Sequence, residues 1–278
     1  MSTDDVFVIT GGAGGMGVAS ARALASRGQL LLVDVGDEQL REASAALTSD
    51  GARVEVQRCD VTSVEDIAAV TEKVRAMGRF RALVHTAGVS PQMAAGRRVL
   101  DVDLVGSVRV TDAVFGLVGP GSSAVLIGSI AGYSDVDPAV EVLLDDPLAE
   151  DFFDAIDRAL GRPVDSATAY QIAKRGVVRL VERLSGPWGQ KGARVVAIAP
   201  GLIDTPMGRM ELERQPMMPA MVRATPIQRP EQPLPGRAED IAAAVAFLVS
   251  EGAAFISGCD IRVDGGLVGA GRHMAGLG

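Results

Sequence analysis

Short runs of Val, Ile and Leu alternate along the whole chain with longer amphipathic stretches. This alternation restricts the fold more than any other feature. Strands that are apolar on both faces must be covered on both, and a parallel sheet with helices on either side does that. Strands are predicted at 6–10, 30–34, 54–58, 82–86, 124–129, 194–199 and 256–263, and helices at 15–26, 38–48, 64–77, 97–117, 167–184 and 238–249. Gly28, Gly51 and Gly78 follow three of these helices, where a C-terminal cap favours a left-handed backbone. Seven strands fit one doubly wound α/β domain with a seven-stranded parallel sheet. No repeat or linker divides the chain, so residues 1–278 are expected to form a single domain.

Composition narrows the class. Apolar residues make up 47% and charged residues 22%, as in ordinary soluble globular chains. No apolar run approaches membrane-span length, and the acidic start, Met1 to Asp5, lacks the basic end and apolar stretch of a signal peptide. A cytoplasmic location without membrane association is therefore expected. The net charge of −8 argues against nucleic acid or an anionic surface as partner. Cys59 and Cys259 form no metal or disulfide spacing and are expected to be reduced, buried thiols. His85 and His273 are too few and too separated for an imidazole metal cluster, so no metal is expected.

The first strand runs into Thr10-Gly11-Gly12-Ala13-Gly14-Gly15-Met16-Gly17, followed by a helical stretch. Glycines let the backbone turn tightly and approach a pyrophosphate, whose charge the helix N-terminus favours, so the loop predicts dinucleotide binding on a Rossmann-type sheet. Its five glycines allow Gly12-x-Gly14-x-x-Gly17, Gly11-x-x-x-Gly15-x-Gly17 or Gly11-x-x-Gly14-x-x-Gly17, and the loop alone leaves that choice open. Asp34 closes the second strand, where a carboxylate accepts hydrogen bonds from the adenosine ribose and repels a 2′-phosphate. No Arg or Lys lies between Gly11 and Gly17, and Val35-Gly36 adds none, so NAD is expected rather than NADP.

Tyr170 and Lys174 stand four apart in a helical pattern and share one face. A phenol is a poor base at neutral pH, but a nearby ammonium favours its phenolate, and the pair can exchange a proton with a substrate oxygen while a hydride moves at carbon. The spacing alone is common; the order of motifs along the chain is not. Through Thr10-Gly11-x-x-x-Gly15-x-Gly17, Asp34, Asp60-Val61, Ala87-Gly88, Ser129, Tyr170-x-x-x-Lys174, Pro200-Gly201, Thr205-Pro206-Met207 and Val263-Asp264-Gly265-Gly266, the sequence resembles the classical short-chain dehydrogenases/reductases over nearly its whole length.

The resemblance implies an oxidoreductase that moves a hydride between NAD(H) and a secondary alcohol or ketone. It implies that Ser129 donates a hydrogen bond to the substrate oxygen and that Lys174 also holds the nicotinamide ribose. Asp60 and Val61 would flank the adenine, and Thr205 would contact the carboxamide. Gly11, Gly14, Gly15, Met16, Gly17, Val35, Ala87, Gly88, Tyr170, Pro200, Gly201 and Ile203 complete the expected cofactor contacts. Two positions depart from the family pattern. Its usual Asn-Asn-Ala-Gly reads His85-Thr86-Ala87-Gly88, where His85 is expected to be packed rather than catalytic. An asparagine whose backbone carbonyl holds a water linking the lysine to solvent reads Asp103. A backbone role survives that change, so Asp103 stays among the expected catalytic residues, with a side chain able to disturb the relay or shift Lys174.

Two segments break the alternation, both just after predicted strand ends. Residues 134–165 hold ten acids against Arg158 and Arg162, while acids and bases balance over the rest of the chain. Ser129 and Tyr170 are 41 positions apart, much more than the family needs. Leu148, Phe152, Ile156 and Leu160 form an apolar stripe there, predicting an added amphipathic helix. The insertion is expected to wall the substrate cleft and to change the helix surface through which family members commonly form tetramers; in it the chain resembles a hydroxysteroid dehydrogenase/carbonyl reductase branch with similar insertions. A homo-oligomer, dimer or tetramer, is expected. Residues 202–236 hold five of the ten methionines and seven of the fourteen prolines, predicting a lid over an apolar, alicyclic or steroid-like substrate. Two alternatives stand beside this reading: a 3-oxoacyl-thioester reductase, disfavoured by Asp34 and the acidic segment, and a catalytically silent nucleotide-binding protein on the same fold.

Overall fold

The computed structural model describes residues 4–275, with side chains as far as Arg272, so Met1 to Thr3 and the imidazole of His273 lie outside the described residues. The central sheet is formed by β1 (Asp5–Thr10), β2 (Gln29–Asp34), β3 (Arg53–Arg58), β4 (Arg79–His85), β5 (Ser123–Ile127) and β6 (Arg194–Pro200). Short strands β7 (Ile203–Asp204) and β8 (Gly236–Arg237) pair with each other, and β9 (Asp260–Val263) completes the main sheet. Its seven strands are parallel, in the order β3-β2-β1-β4-β5-β6-β9, which is the doubly wound arrangement expected from the alternation.

Alternate side chains of β1 enter opposite cores, as the period of two requires. Phe7 and Ile9 pack with Leu24, Leu40 and Ile241 beneath α1 (Gly15–Leu24), α2 (Asp37–Ser49) and α11 (Ala238–Leu248). Val6 and Val8 pack with Ile67, Val114 and Leu180 beneath α3 (Val64–Met77), α5 (Gly106–Phe115) and α8 (Ser166–Gln190). The central strands β1 and β5 are buried at every residue, whereas edge strand β3 exposes Arg53, Glu55 and Arg58.

Several boundaries differ from expectation. The stretch expected as one regular helix at 97–117 is α4 (Gly96–Leu100), a π-helical turn at Asp101–Val105, and α5, with Gly106 N–H donating to Asp101 O across the wide turn. Apolar periodicity cannot distinguish one π turn from an α turn, and such turns recur at functional sites. Helix α8 runs beyond 184 and through Pro187, because Trp188 is fully buried against Phe115 and carries the last turn. Strand β5 stops at Ile127, and Ser129 instead caps a short 3₁₀ turn, Ile130–Tyr133. Gly51 and Gly78 have positive φ as expected, but Gly28 does not; a side chain there would collide with Asp5 O at 2.3 Å. Cys59 is buried, with its thiol pushed up to about 12 by burial and by Asp66 and Asp60, but Cys259, beside edge strand β9, is exposed rather than buried.

The acidic segment forms two helices, α6 (Pro138–Leu143) and α7 (Phe152–Leu160), not one. Phe152 and Ile156 are buried as the stripe implies, joined by Val140 and Leu144, while Leu148 lies before α7 and is exposed. Four of its ten acids turn toward the body: Asp154 and Asp157 pair with Arg97 of α4, Glu141 pairs with Arg175 and Arg179 of α8, and Asp145 pairs with Arg179. Residues 202–236 contain β7, α9 (Pro206–Arg214), α10 (Met218–Ala224) and β8, and α12 (Leu267–Ala275) packs beside α10. Among the described residues no helix is long and apolar enough to cross a membrane.

Candidate active site

The chain reverses direction across the sheet between β1 and β4, which opens a crevice beyond the strands' carboxyl ends, where ligands bind in open α/β sheets. The glycine loop and the Ala87-Gly88 loop meet there. Gly11 has φ +66°, and a side chain on it would lie 2.7 Å from Ala87 N; one on Gly17 would lie 2.1 Å from Gly11 O. Only glycine lets these backbones close on each other. The N-terminus of α1 has no side-chain cap and no acid in its first turn. By contrast α3, α8 and α9 are capped by Ser63, Asp165 and Thr205. The leading amides of α1 thus lack an internal partner and suit the pyrophosphate of a dinucleotide.

Asp34, at the end of β2, accepts from Val35 N at 2.7 Å and reaches Ala13 N in the glycine loop at 3.1 Å. Its neighbour in register on β3 is Arg58, which pairs with Asp66 at 3.7 Å. Asp60 accepts from Thr62 N and Oγ1 and pairs with Arg98 at 2.9 Å. Burial pushes its carboxyl up, but these donors outweigh it and hold it below the usual range. Val61 is buried against Gly106.

A cleft of about 660 Å³ opens beside this crevice. It brings together Met16, Gly88, Asp103, Ser129, Tyr170, Lys174, Pro200, Gly201, Ile203 and Thr205, residues from six separate stretches of the chain. Asp34, Val35, Asp60, Val61, Ala87 and glycines 11, 14, 15 and 17 lie outside its lining, along the adjoining edge of the sheet. Ser129 Oγ accepts from Ala131 N at 3.1 Å and directs its own proton to the Tyr170 phenol oxygen. Lys174 Nζ lies 5.3 Å from the Tyr170 ring centre and 3.4 Å from Ile127 O. On its other side it pairs with Asp103 Oδ2 at 3.0 Å, off the hydrogen-bond direction, while Asp103 Oδ1 accepts from Val89 N at 2.7 Å.

Burial raises the Tyr170 phenol; Lys174 opposes this, Asp103 and Glu211 reinforce it, and the phenol ends above its ordinary value. Burial alone would lower Lys174, but Asp103 first, then Tyr170 and Glu211, keep its ammonium above the ordinary value. Burial pushes the Asp103 carboxyl up against Lys174 and Val89 N–H, the two groups that favour its ionised form.

Family models match in two pieces: residues 5–139 match "short chain dehydrogenase" and residues 158–268 match "Enoyl-(Acyl carrier protein) reductase". The short-chain dehydrogenase/reductase bsc3 of Alternaria brassicicola is 31% identical over 96% of both chains. The cis-4-hydroxycyclohexanecarboxylate dehydrogenase of Sinomonas cyclohexanicum is 32% identical over 94% of this chain and 95% of its own. Among solved structures, levodione reductase superposes with a TM-score of 0.77 at 28% identity, covering 97% of this chain and all of that one. The chain belongs to the classical short-chain dehydrogenase/reductase family.

Family members of this kind use a nicotinamide cofactor and act on alcohols or ketones. Residues 140–157, between the two matched pieces, run from within α6 to within α7. That insertion does not wall the cleft as expected. Of residues 134–165 only Ser134 lines it, because the insertion's apolar face and carboxylates are engaged by α4 and α8. The methionine-rich segment does line it, through Met207, Met217, Met218 and Met221 but not Met210.

His85, in place of the family's usual asparagine, is packed as expected. Its Nδ1 meets Thr10 Oγ1 at 2.7 Å and its Nε2 meets Ser107 Oγ at 3.0 Å; burial and the Lys174 charge hold it down to about 3, hence neutral. Ser107 in turn donates to the Asp103 carbonyl at 2.7 Å. Sequence reasoning missed Glu211, an acid of α9 lining the cleft, whose carboxyl burial pushes up against the pull of Lys174. It also missed Ser107 and the Val89 amide. No local pattern marks any of the three, since each acquires its place around Asp103 and Lys174 in the folded chain.

Proposed function

We propose that this protein is an NAD(H)-dependent dehydrogenase/reductase of apolar secondary alcohols and ketones, with Ser129, Tyr170 and Lys174 as its catalytic residues. The observation that carries this reading is their convergence in one cleft beside the glycine loop. The bound nicotinamide would supply or accept the hydride. In the reducing direction Ser129 donates a hydrogen bond to the substrate carbonyl oxygen, and Tyr170 donates its proton to that oxygen as negative charge develops there. Lys174 steadies the resulting phenolate, which is then reprotonated from solvent. With the phenol above its ordinary value, reduction falls only in alkali, and alcohol oxidation, which needs the phenolate, rises with pH.

The preference for NAD rests on Asp34, whose carboxylate would repel a 2′-phosphate, and on Arg58, the cation nearest in register, being turned to Asp66. Roles for Asp60, Val61 and Thr205 at the adenine and carboxamide remain part of the proposal. An alicyclic substrate is supported by the apolar lining from Leu202, Ile203 and the methionines, and by the cyclohexane compound that one similar protein is named for. Residues 202–236 are proposed as a lid over that substrate. The test is a panel of cyclic alcohols and ketones with NAD(H) and NADP(H), run beside Tyr170→Phe. Turnover should fall at least about a hundredfold in the variant, the usual contribution of a positioned proton donor. Full activity in Tyr170→Phe would remove the phenol as proton donor, and a preference for NADPH would overturn the Asp34 argument.

A further inference from the structure

The residue at 103 differs from the family's usual asparagine in bringing a negative charge to the buried side of the lysine. Asp103 is 1% exposed and Lys174 is 5% exposed, and their charged atoms stand 3.0 Å apart. The carboxylate is fixed from two directions. Its Oδ1 is held by Val89 N–H, and its oxygens lie 3.3 and 3.4 Å from where a side chain on Gly88 would begin, so the loop after β4 closes over it. From below, the π turn directs residue 103 inward, with its carbonyl held by Ser107. Lys174 therefore faces Asp103 on the π turn, Tyr170 one turn earlier on α8, Glu211 on α9, and the neutral His85 on β4.

We propose that Asp103 is a positioning residue that shares the ammonium of Lys174 with Tyr170, so that the phenol stays protonated further into alkali and the site favours ketone reduction over alcohol oxidation near neutrality. This deepens the proposed oxidoreductase reading and rests on it. The physical cause is distance and burial. A charge of opposite sign against the ammonium in a poorly solvated pocket cancels much of the field that would otherwise stabilise the phenolate. An asparagine in the same place could keep the Val89 contact and would leave the ammonium's field uncancelled.

The chain has two tyrosines, so in a Tyr133→Phe background the ultraviolet tyrosinate signal reports Tyr170 alone, in the protein without cofactor or substrate. Adding Asp103→Asn should move that titration to lower pH by about one unit or more, the scale of one partly screened charge at this range. Glu211→Gln should move it less, since Glu211 acts on the phenol more weakly than Asp103 does. Asp103→Asn should also move the acidic limb of kcat/KM for alcohol oxidation in the same direction, which a purely structural role would not do. Should the variant fail to fold, the parent still decides: its oxidation rate must climb through mildly alkaline pH while reduction stays level. A tyrosinate titration unmoved or raised by Asp103→Asn, or a parent already at full oxidation rate at neutral pH, overturns the proposal. Because the titration needs no turnover, its outcome is separate from a failure to find any alcohol or ketone substrate.

Discussion

Residues 134–165 and 202–236 both interrupt the strand and helix alternation, both follow a central strand, and both carry a biased composition. In space they part company. The first spends much of its bias inward on its own protein: four of its carboxylates meet Arg97, Arg175 and Arg179, and Phe152 and Ile156 enter the core beneath α8. The second faces the cleft, with Met218 buried among Leu202, Leu234 and Leu267 while Met217 is 68% exposed. An excess of charge in one segment is therefore no guide to a charged ligand when the body holds the matching arginines. A run of methionines becomes informative only once some of them are seen to lack a packed partner.

Stability should divide the two regions most sharply. Phe152→Ala removes a fully packed ring from the insertion and should cost about 3–5 kcal/mol in urea unfolding, with kcat/KM of the folded fraction unchanged. A parallel loss of turnover would tie the insertion to the cleft and break the contrast.

Acid gives the next largest effect, because the body under the cleft and the insertion respond in different windows. His85 is held down to about 3 in the fold against an ordinary 6.5, so the unfolded chain binds its proton first as pH falls. The contribution of His85 to stability is full above 6.5 and declines below it by about 1.4 kcal/mol per pH unit. The insertion's Glu141 and Asp157 are held below the usual carboxylate range by Arg175 and Arg97, and lose their contribution only as pH falls beneath that range. His85→Gln should flatten the decline between pH 6.5 and the carboxylate range in urea titrations. An unchanged slope would mean that another group senses the acid.

The smallest effect belongs to the cleft wall. Met217→Ala with Met221→Ala should reduce kcat/KM for a bulky alicyclic ketone about tenfold, about 1.4 kcal/mol, and leave a small ketone nearly untouched. Equal losses for both ketones would assign these methionines to the scaffold and erase their difference from the insertion.

Much of this was legible in one dimension. Apolar runs of strand length, glycines at a strand-to-helix turn and a tyrosine four residues before a lysine are all local signals. They act through backbone sterics and helical periodicity, which neighbouring residues settle among themselves. The sheet, the dinucleotide loop and the shared face of Tyr170 and Lys174 follow from them. Tertiary structure alone decided that Asp103 meets Lys174 across a π turn, that Glu211 enters the cleft, and that the acidic insertion folds onto α4 and α8. Those outcomes depend on side chains from distant segments meeting at ångström distances in a packed interior, where burial and partner geometry, rather than spacing along the chain, set which contacts form.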